Sequence, residues 1–414
     1  MKTKIIDQSI FFSYCLLMVS FFLPLKYNSI SLILIGLISL TKLKYIVLKH
    51  KNHSIIVLFC LFFAFIVGGM FYTENLKEGW SIVERHYSLL FIPFFAPTFG
   101  LLTINQRKRI INVFIFTLIC VSLYCLVYAI VDYIKTGSVY IPGYSGHPIY
   151  NKFMHHRLVE PVNMHAIFFS LYLSFSTIII LYRLIKNFHH YNHWEKLGYC
   201  LIITYLLVFL ILLKSSLFAF ALPIAIGLLF IFYFRKKLLK SKRTKSLFIA
   251  LIVLIGTFSF YGVNSKINDF SINFRLDDPT INSFKIRLGI WTCSWETIKE
   301  SWFLGYGTGD ANNLLYKTYQ EKNFIIGIEN KFNAHNMYLQ YWMSNGILAL
   351  LIYLCILLFF AVNFIKKGQV VGFLTVFLFA MFSLTESTML KQNGIVFFML
   401  FTTIFYYKKH PIKI

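Results

Sequence analysis

Acidic side chains are scarce in this chain, with 16 Asp and Glu against 40 Lys and Arg in 414 residues. Charge of either sign is sparse as well, at 14% of residues, where a soluble domain carries about a quarter. That shortage excludes a water-exposed globule. Paired cysteines are also missing. The cysteines at 15, 60, 120, 125, 200, 293 and 355 form no C-x-x-C pair and mostly fall inside apolar runs. A disulfide framework and a cysteine zinc site are thereby excluded. His155-His156 and His189-His190 lack the i, i+4 spacing with a carboxylate that a helical metal site needs. No fixed-period repeat and no low-complexity tract is visible.

What the chain has instead is apolar length. Hydrophobic residues make up 58%, gathered in runs such as SLILIGLISL, IVLFCLFFAFIVGGMF and ILALLIYLCILLFFAVNFI. No water reaches the hydrocarbon of a bilayer, so runs of about 20 apolar residues must satisfy their backbone groups internally, as helices. The expected fold is an all-α polytopic membrane protein of about twelve spans, near 8–25, 28–41, 54–72, 81–103, 110–134, 160–182, 197–213, 216–234, 246–262, 346–365, 369–385 and 393–407. The net charge of +24 points to orientation rather than to nucleic acid. TKLKYIVLKHK, QRKR, RKKLLKSKRTK, Lys366-Lys367 and the YYKKH tail alternate along the chain in the way that places basic loops in the cytoplasm. Their second effect is attraction to anionic membrane lipid. The opening MKTKIIDQSIFFSYCLLMVSFFL lacks a small-residue cleavage site and reads as the first span.

Three parts follow: spans one to nine over 1–262, an outer loop over 263–345, and spans ten to twelve with a short tail over 346–414. Two further outer segments are expected at 135–160 and 385–394. Within the large loop, Ile286, Ile290 and Ile298 with Trp291, Trp295 and Trp302 recur at mostly helical intervals. They predict an amphipathic helix with tryptophans at headgroup depth. LGYGTGD then reads as a glycine-rich turn, not a phosphate loop, since no strand precedes it. Asp310 is placed to cap the next helix, and Gly346 marks entry into the tenth span.

The candidates for chemistry face outward. On a helix from Asn333, His335 would share a face with Leu339 and Trp342, beside a polar stripe of Asn336 and Gln340. Taken alone, it reads as a boundary histidine. Cations on the outer side run against the orientation rule, so Arg85, Arg157, Lys214 and Arg287 each need a reason. Pairing with Glu84 or Glu160 is one. An anion site is the other, because guanidinium forks match phosphate oxygens.

These residues reach a pattern. One large outer loop before the tenth span, R-L-G-I-W leading to G-Y-G-T-G, and then A-H-N-M-Y-L-Q-Y-W-M-S-N-G-I together resemble the O-antigen ligase family. The specific motifs run from Arg287 to Ile347. The resemblance implies a GT-C-like membrane glycosyltransferase with a periplasmic loop, in the bacterial inner membrane. It implies transfer of a glycan from an undecaprenyl-diphosphate carrier to lipid A-core or another glycan acceptor, inverting, with no cofactor, metal or nucleic acid. Under it His335 becomes the catalytic base, and Arg157, Arg287 and Lys214 hold the diphosphate. Asn336, Gln340 and Tyr338 then contact the acceptor. Family members often carry an arginine where KSSLF stands here, so Lys214 either substitutes as a point charge or the contact is absent. A polymerase would use the same donor and is not separated from a ligase. A protein O-oligosaccharyltransferase would often carry an extra C-terminal soluble portion. A transporter would bury ionisable groups mid-span and repeat its halves.

Overall fold

The structure, a computed structural model, describes residues 2–44, 46, 54–141, 150–238, 276–277 and 283–407. The expected ninth span at 246–262 lies outside these residues. Apolar sequence becomes helix almost throughout. Helices α1 (Lys2–Ser20) and α2 (Leu25–Leu40) form a hairpin turned at Pro24. Then α3 (Ser54–Gly68) runs into a 3-10 turn ending at Tyr72. The single span expected at 81–103 is instead broken into α4 (Leu76–His86), α5 (Ser88–Phe95) and a 3-10 stretch to Leu101. Pro97, at the start of the 3-10 stretch, accounts for the end of α5, whereas the α4–α5 junction at Tyr87 lies upstream of both prolines.

Helix α6 (Ile104–Thr136) opens on a reciprocal cap between Thr103 and Gln106 and stops at Gly137, whose φ of +63° ends the helix. A two-residue antiparallel pair, β1 (Tyr140–Ile141) with β2 (Tyr150–Asn151), leads to the short α7 (His155–Val159). The bundle continues with α8 (Ala166–Lys186), α9 (His193–Leu212) and α10 (Ser216–Leu238). After it come α11 (Ser283–Glu300), α12 (Ala311–Glu321), α13 (Ile325–Asn330), α14 (Met337–Lys366), α15 (Val370–Ser383) and α16 (Gln392–Tyr406). Among the described residues, five helices are long and apolar enough to cross a membrane: Ile55–Tyr72, Ile104–Thr136, Ala166–Lys186, His193–Leu212 and Met337–Lys366. Shorter apolar helices include Leu25–Leu40, Val370–Ser383 and Gln392–Tyr406. The chain is an all-α membrane protein.

The core lies around α8 and α16. Every residue of α16 from Gly394 to Tyr406 is buried, as is most of α8. Phe401 sits 4.4 Å from the Phe175 ring and 5.2 Å from Phe114, so edge-on aromatic packing joins three helices. Around α11 to α14 a second apolar cluster forms from Ile290, Cys293, Ile298, Leu315, Tyr319, Phe324 and Met343. The amphipathic α11 thus packs its isoleucine face on α12 and α14, while Trp295 and Trp302 stay exposed.

Candidate functional site

The expected helix from Asn333 does not form. Helix α14 starts at Met337, because the Asn336 side chain caps it by accepting from the N–H groups of Tyr338 (3.0 Å) and Leu339 (3.2 Å). His335 therefore stands in the preceding loop at φ +41°, off any face shared with Leu339 and Trp342. Its N–H donates to the Asn333 side chain at 3.0 Å. The same Asn333 oxygen accepts from the Ser387 hydroxyl at 3.1 Å, which ties the loop to the turn between α15 and α16. A left-handed histidine is costly and persists only where such bonds fix it.

That turn supplies a residue the sequence reading missed. Glu386 places Oε1 3.5 Å from His335 Nδ1, an ion-pair separation longer than a good hydrogen bond. The histidine side chain is 23% exposed and the glutamate 3%. Burial works to raise the Glu386 pKa, but His335 beside it, with His165 and Lys391, outweighs burial and holds it at about 2. The carboxylate is therefore ionised. A proton on Nδ1 facing it leaves Nε2 with the lone pair, the tautomer a base needs.

Glu386 is also a hub. Its charge acts on Arg287, whose guanidinium is penalised by burial and supported by this carboxylate. It acts likewise on His156, pushed down to about 4 by burial first and by His155, against the pull of Glu386. His156 is thus neutral at pH 7, with Nδ1 accepting the Ala166 N–H at 3.2 Å. Beside this hub opens a cavity of about 870 Å³ lined by His155, His156, Arg157, Glu160, His165, Lys214 and Lys391 among others. His335, Arg287 and Glu386 are not among its lining residues; the Glu386 charge acts on His156, His165 and Lys391, which are.

Three of the expected cations are therefore brought to one region, each differently. Arg157 Nη1 bonds both Glu160 oxygens, at 2.9 and 2.8 Å, so its charge is largely matched. Lys214 lines the cavity and is exposed, at φ +50°. Arg85 belongs elsewhere: its guanidinium donates to Ser81 Oγ at 2.7 Å and the Leu390 carbonyl at 3.1 Å, not to Glu84. The polar side chains after His335 are occupied within the protein. Gln340 accepts from the Ala334 N–H at 3.2 Å and donates to Asn312 at 3.2 Å. Tyr338 donates to the Ala380 carbonyl at 2.9 Å. These three residues, Asn336 included, build the loop that presents His335.

Asp310 precedes α12 as expected but makes no cap with its side chain. Its carboxylate accepts instead from the N–H groups of Glu74 (2.6 Å) and Asn75 (2.8 Å), pinning the loop before α4. Among the described residues no group of three His, Cys, Asp or Glu is arranged to hold a metal ion.

Residues 201–354 match the family model described as O-antigen ligase. The match supports an assignment to the O-antigen ligase family. The ligase-family segment runs from α9 into α14 and includes Lys214, Arg287 and His335, whereas Arg157, Glu386 and Lys391 lie outside it. No curated protein matches the chain. The only local signal for Glu386 was its rarity, a lone acid in TESTMLKQNG ahead of the last apolar run.

Proposed function

We propose that the chain transfers a glycan from undecaprenyl diphosphate to a hydroxyl of lipid A-core, at the periplasmic face of the bacterial inner membrane. The observation that carries this reading is His335 held beside the ionised Glu386, whose charge acts on His156, His165 and Lys391 in the wall of a neighbouring cavity. In the reaction the acceptor hydroxyl gives its proton to His335 Nε2 as its oxygen bonds the anomeric carbon. The carbon–oxygen bond to the diphosphate breaks, and its electron pair leaves with undecaprenyl diphosphate. Attack opposite the leaving group inverts the anomeric centre. Arg287 and Lys214 stabilise the departing charge, and Arg157, tied to Glu160, shapes the wall around it. Asn336, Gln340 and Tyr338 set the base against the acceptor. Side-chain cations take the part a divalent metal plays elsewhere.

The direct test uses purified protein, an undecaprenyl-diphosphate-linked glycan and lipid A-core in EDTA. Glycan should appear on lipid A-core at an undiminished rate. Activity that vanishes with EDTA and returns with magnesium would refute the metal-free mechanism, and elongation of the lipid-linked donor alone would make the protein a polymerase. Orientation has its own test. A cysteine replacing Lys322, after α12, should react with a membrane-impermeant thiol reagent once the outer membrane is permeabilised. Protection of that cysteine would put the site on the cytoplasmic side.

A further inference from the structure

We propose that Lys391, which lies outside the ligase-family segment, joins Lys214 as the pair of cations that grips the donor diphosphate in the cavity. The inference rests on the glycan-transfer reading for the identity of the ligand, and on charge accounting for the residues. Among the described residues, four side chains of fixed charge line the cavity: Arg157, Glu160, Lys214 and Lys391. Arg157 Nη1 bonds both Glu160 oxygens, so the pair contributes little net charge. Among the described residues no carboxylate comes within ion-pair distance of Lys214 or Lys391. Two positive charges face the cavity, Lys391 also acting on the buried Glu386, and a glycosyl diphosphate diester carries two negative ones.

Position supports the same assignment. Lys391 stands at the start of α16, in the turn that also carries Glu386, so the grip on the leaving group and the partner of the base share one short segment. Its ammonium lies 5.6 Å from the centre of the Phe168 ring, which steadies the side chain without neutralising it. Both lysines are exposed within the cavity. An ammonium is a compact point charge that can follow a phosphate from bound donor to released product, where an arginine fork would demand one geometry. The matching of Arg157 by Glu160 then reads as a strut that shapes the cavity wall.

The experiment measures binding of undecaprenyl diphosphate to the purified full chain, with transfer kinetics on the same samples. Lys391→Met should weaken binding by roughly tenfold to a hundredfold, the range for losing a charged hydrogen bond. The KM for donor should rise with the KM for acceptor unchanged, and Lys391→Arg should restore most of the affinity. Lys214→Met should act alike. Because Lys391 is exposed, its loss should leave the unfolding temperature unaltered. Normal affinity in Lys391→Met overturns the proposal, and so does a loss seen equally in acceptor KM. If wild type binds undecaprenyl diphosphate through Lys391 yet transfers nothing, the transfer reading fails and the lysine pair stands.

Discussion

His335→Ala should abolish most glycan transfer, by about 10²–10⁴-fold in kcat, the usual contribution of a positioned general base. The side chain is only partly buried, so the variant should insert and fold. Its ring contacts Phe332 at 5.4 Å between centroids, and losing that contact removes little from the core. The donor KM should hardly move, because the cavity cations stay in place. His335→Gln keeps the volume and a hydrogen-bonding tip but cannot take up the proton, so it should fail like the alanine. Transfer rate at matched protein level decides the matter: near-normal turnover in His335→Ala would leave this histidine a loop anchor. Glu386 sharpens the reading. A buried carboxylate kept ionised at about 2 meets a histidine in a strained backbone conformation, and such strain gathers where function needs it.

Much of this architecture is written in local sequence. Apolar runs and the basic segments between them predict the helices, since backbone satisfaction in hydrocarbon leaves no other regular solution. The exceptions have physical causes. Pro97 ends α5 in a 3-10 stretch within what hydropathy alone reads as one span. Asn333 and Asn336 draw backbone N–H groups to their side chains and so delay α14 until Met337, lifting His335 off the helix. That side-chain chemistry was present in NAHN and is local. Asp310 and Glu386 were not legible in the same way. Each finds its partners far along the chain, Asp310 at Glu74 and Asn75 and Glu386 at His335, and no spacing rule encodes such pairings. Under the expected orientation the cations stood out as outer-side charges against the orientation rule. The Arg157–Glu160 pair was legible at i, i+3, whereas Arg85 bonds Ser81 and the Leu390 carbonyl instead of Glu84.

The second large effect is expected far from any ionisable group. Gly346→Ala should lower stability by about 3 kcal/mol or more, the upper end for one residue forced into a glycine-only backbone region. Helix α14 is broken at Asn345 and Gly346, where Gly346 has φ +75° and ψ −176°. A methyl group there would run into the Phe303 carbonyl and the Leu304 backbone, which have no freedom to retreat. The segment after α11 is laced to the break by N–H bonds from Tyr306 to the Met343 carbonyl (3.0 Å), from Gly307 to Ser344 (2.8 Å) and from Ile347 to Trp302 (3.1 Å). Gly305 allows this approach from the other side, since its own added carbon would strike the Ser344 backbone. A native state worth about 5–15 kcal/mol cannot absorb that loss unnoticed. The break also sets the direction of the first turns of α14, whose cap holds the His335 loop, so transfer per inserted molecule should fall together with the unfolding temperature. Gly36, with nothing within 4 Å of an added carbon, is the matched control in α2. Gly36→Ala should keep full stability, because alanine is the better helix former by roughly 0.5–1 kcal/mol. If Gly346→Ala unfolds at the same temperature as Gly36→Ala, the break is a passive bend and the rigid seat of His335 must come from elsewhere.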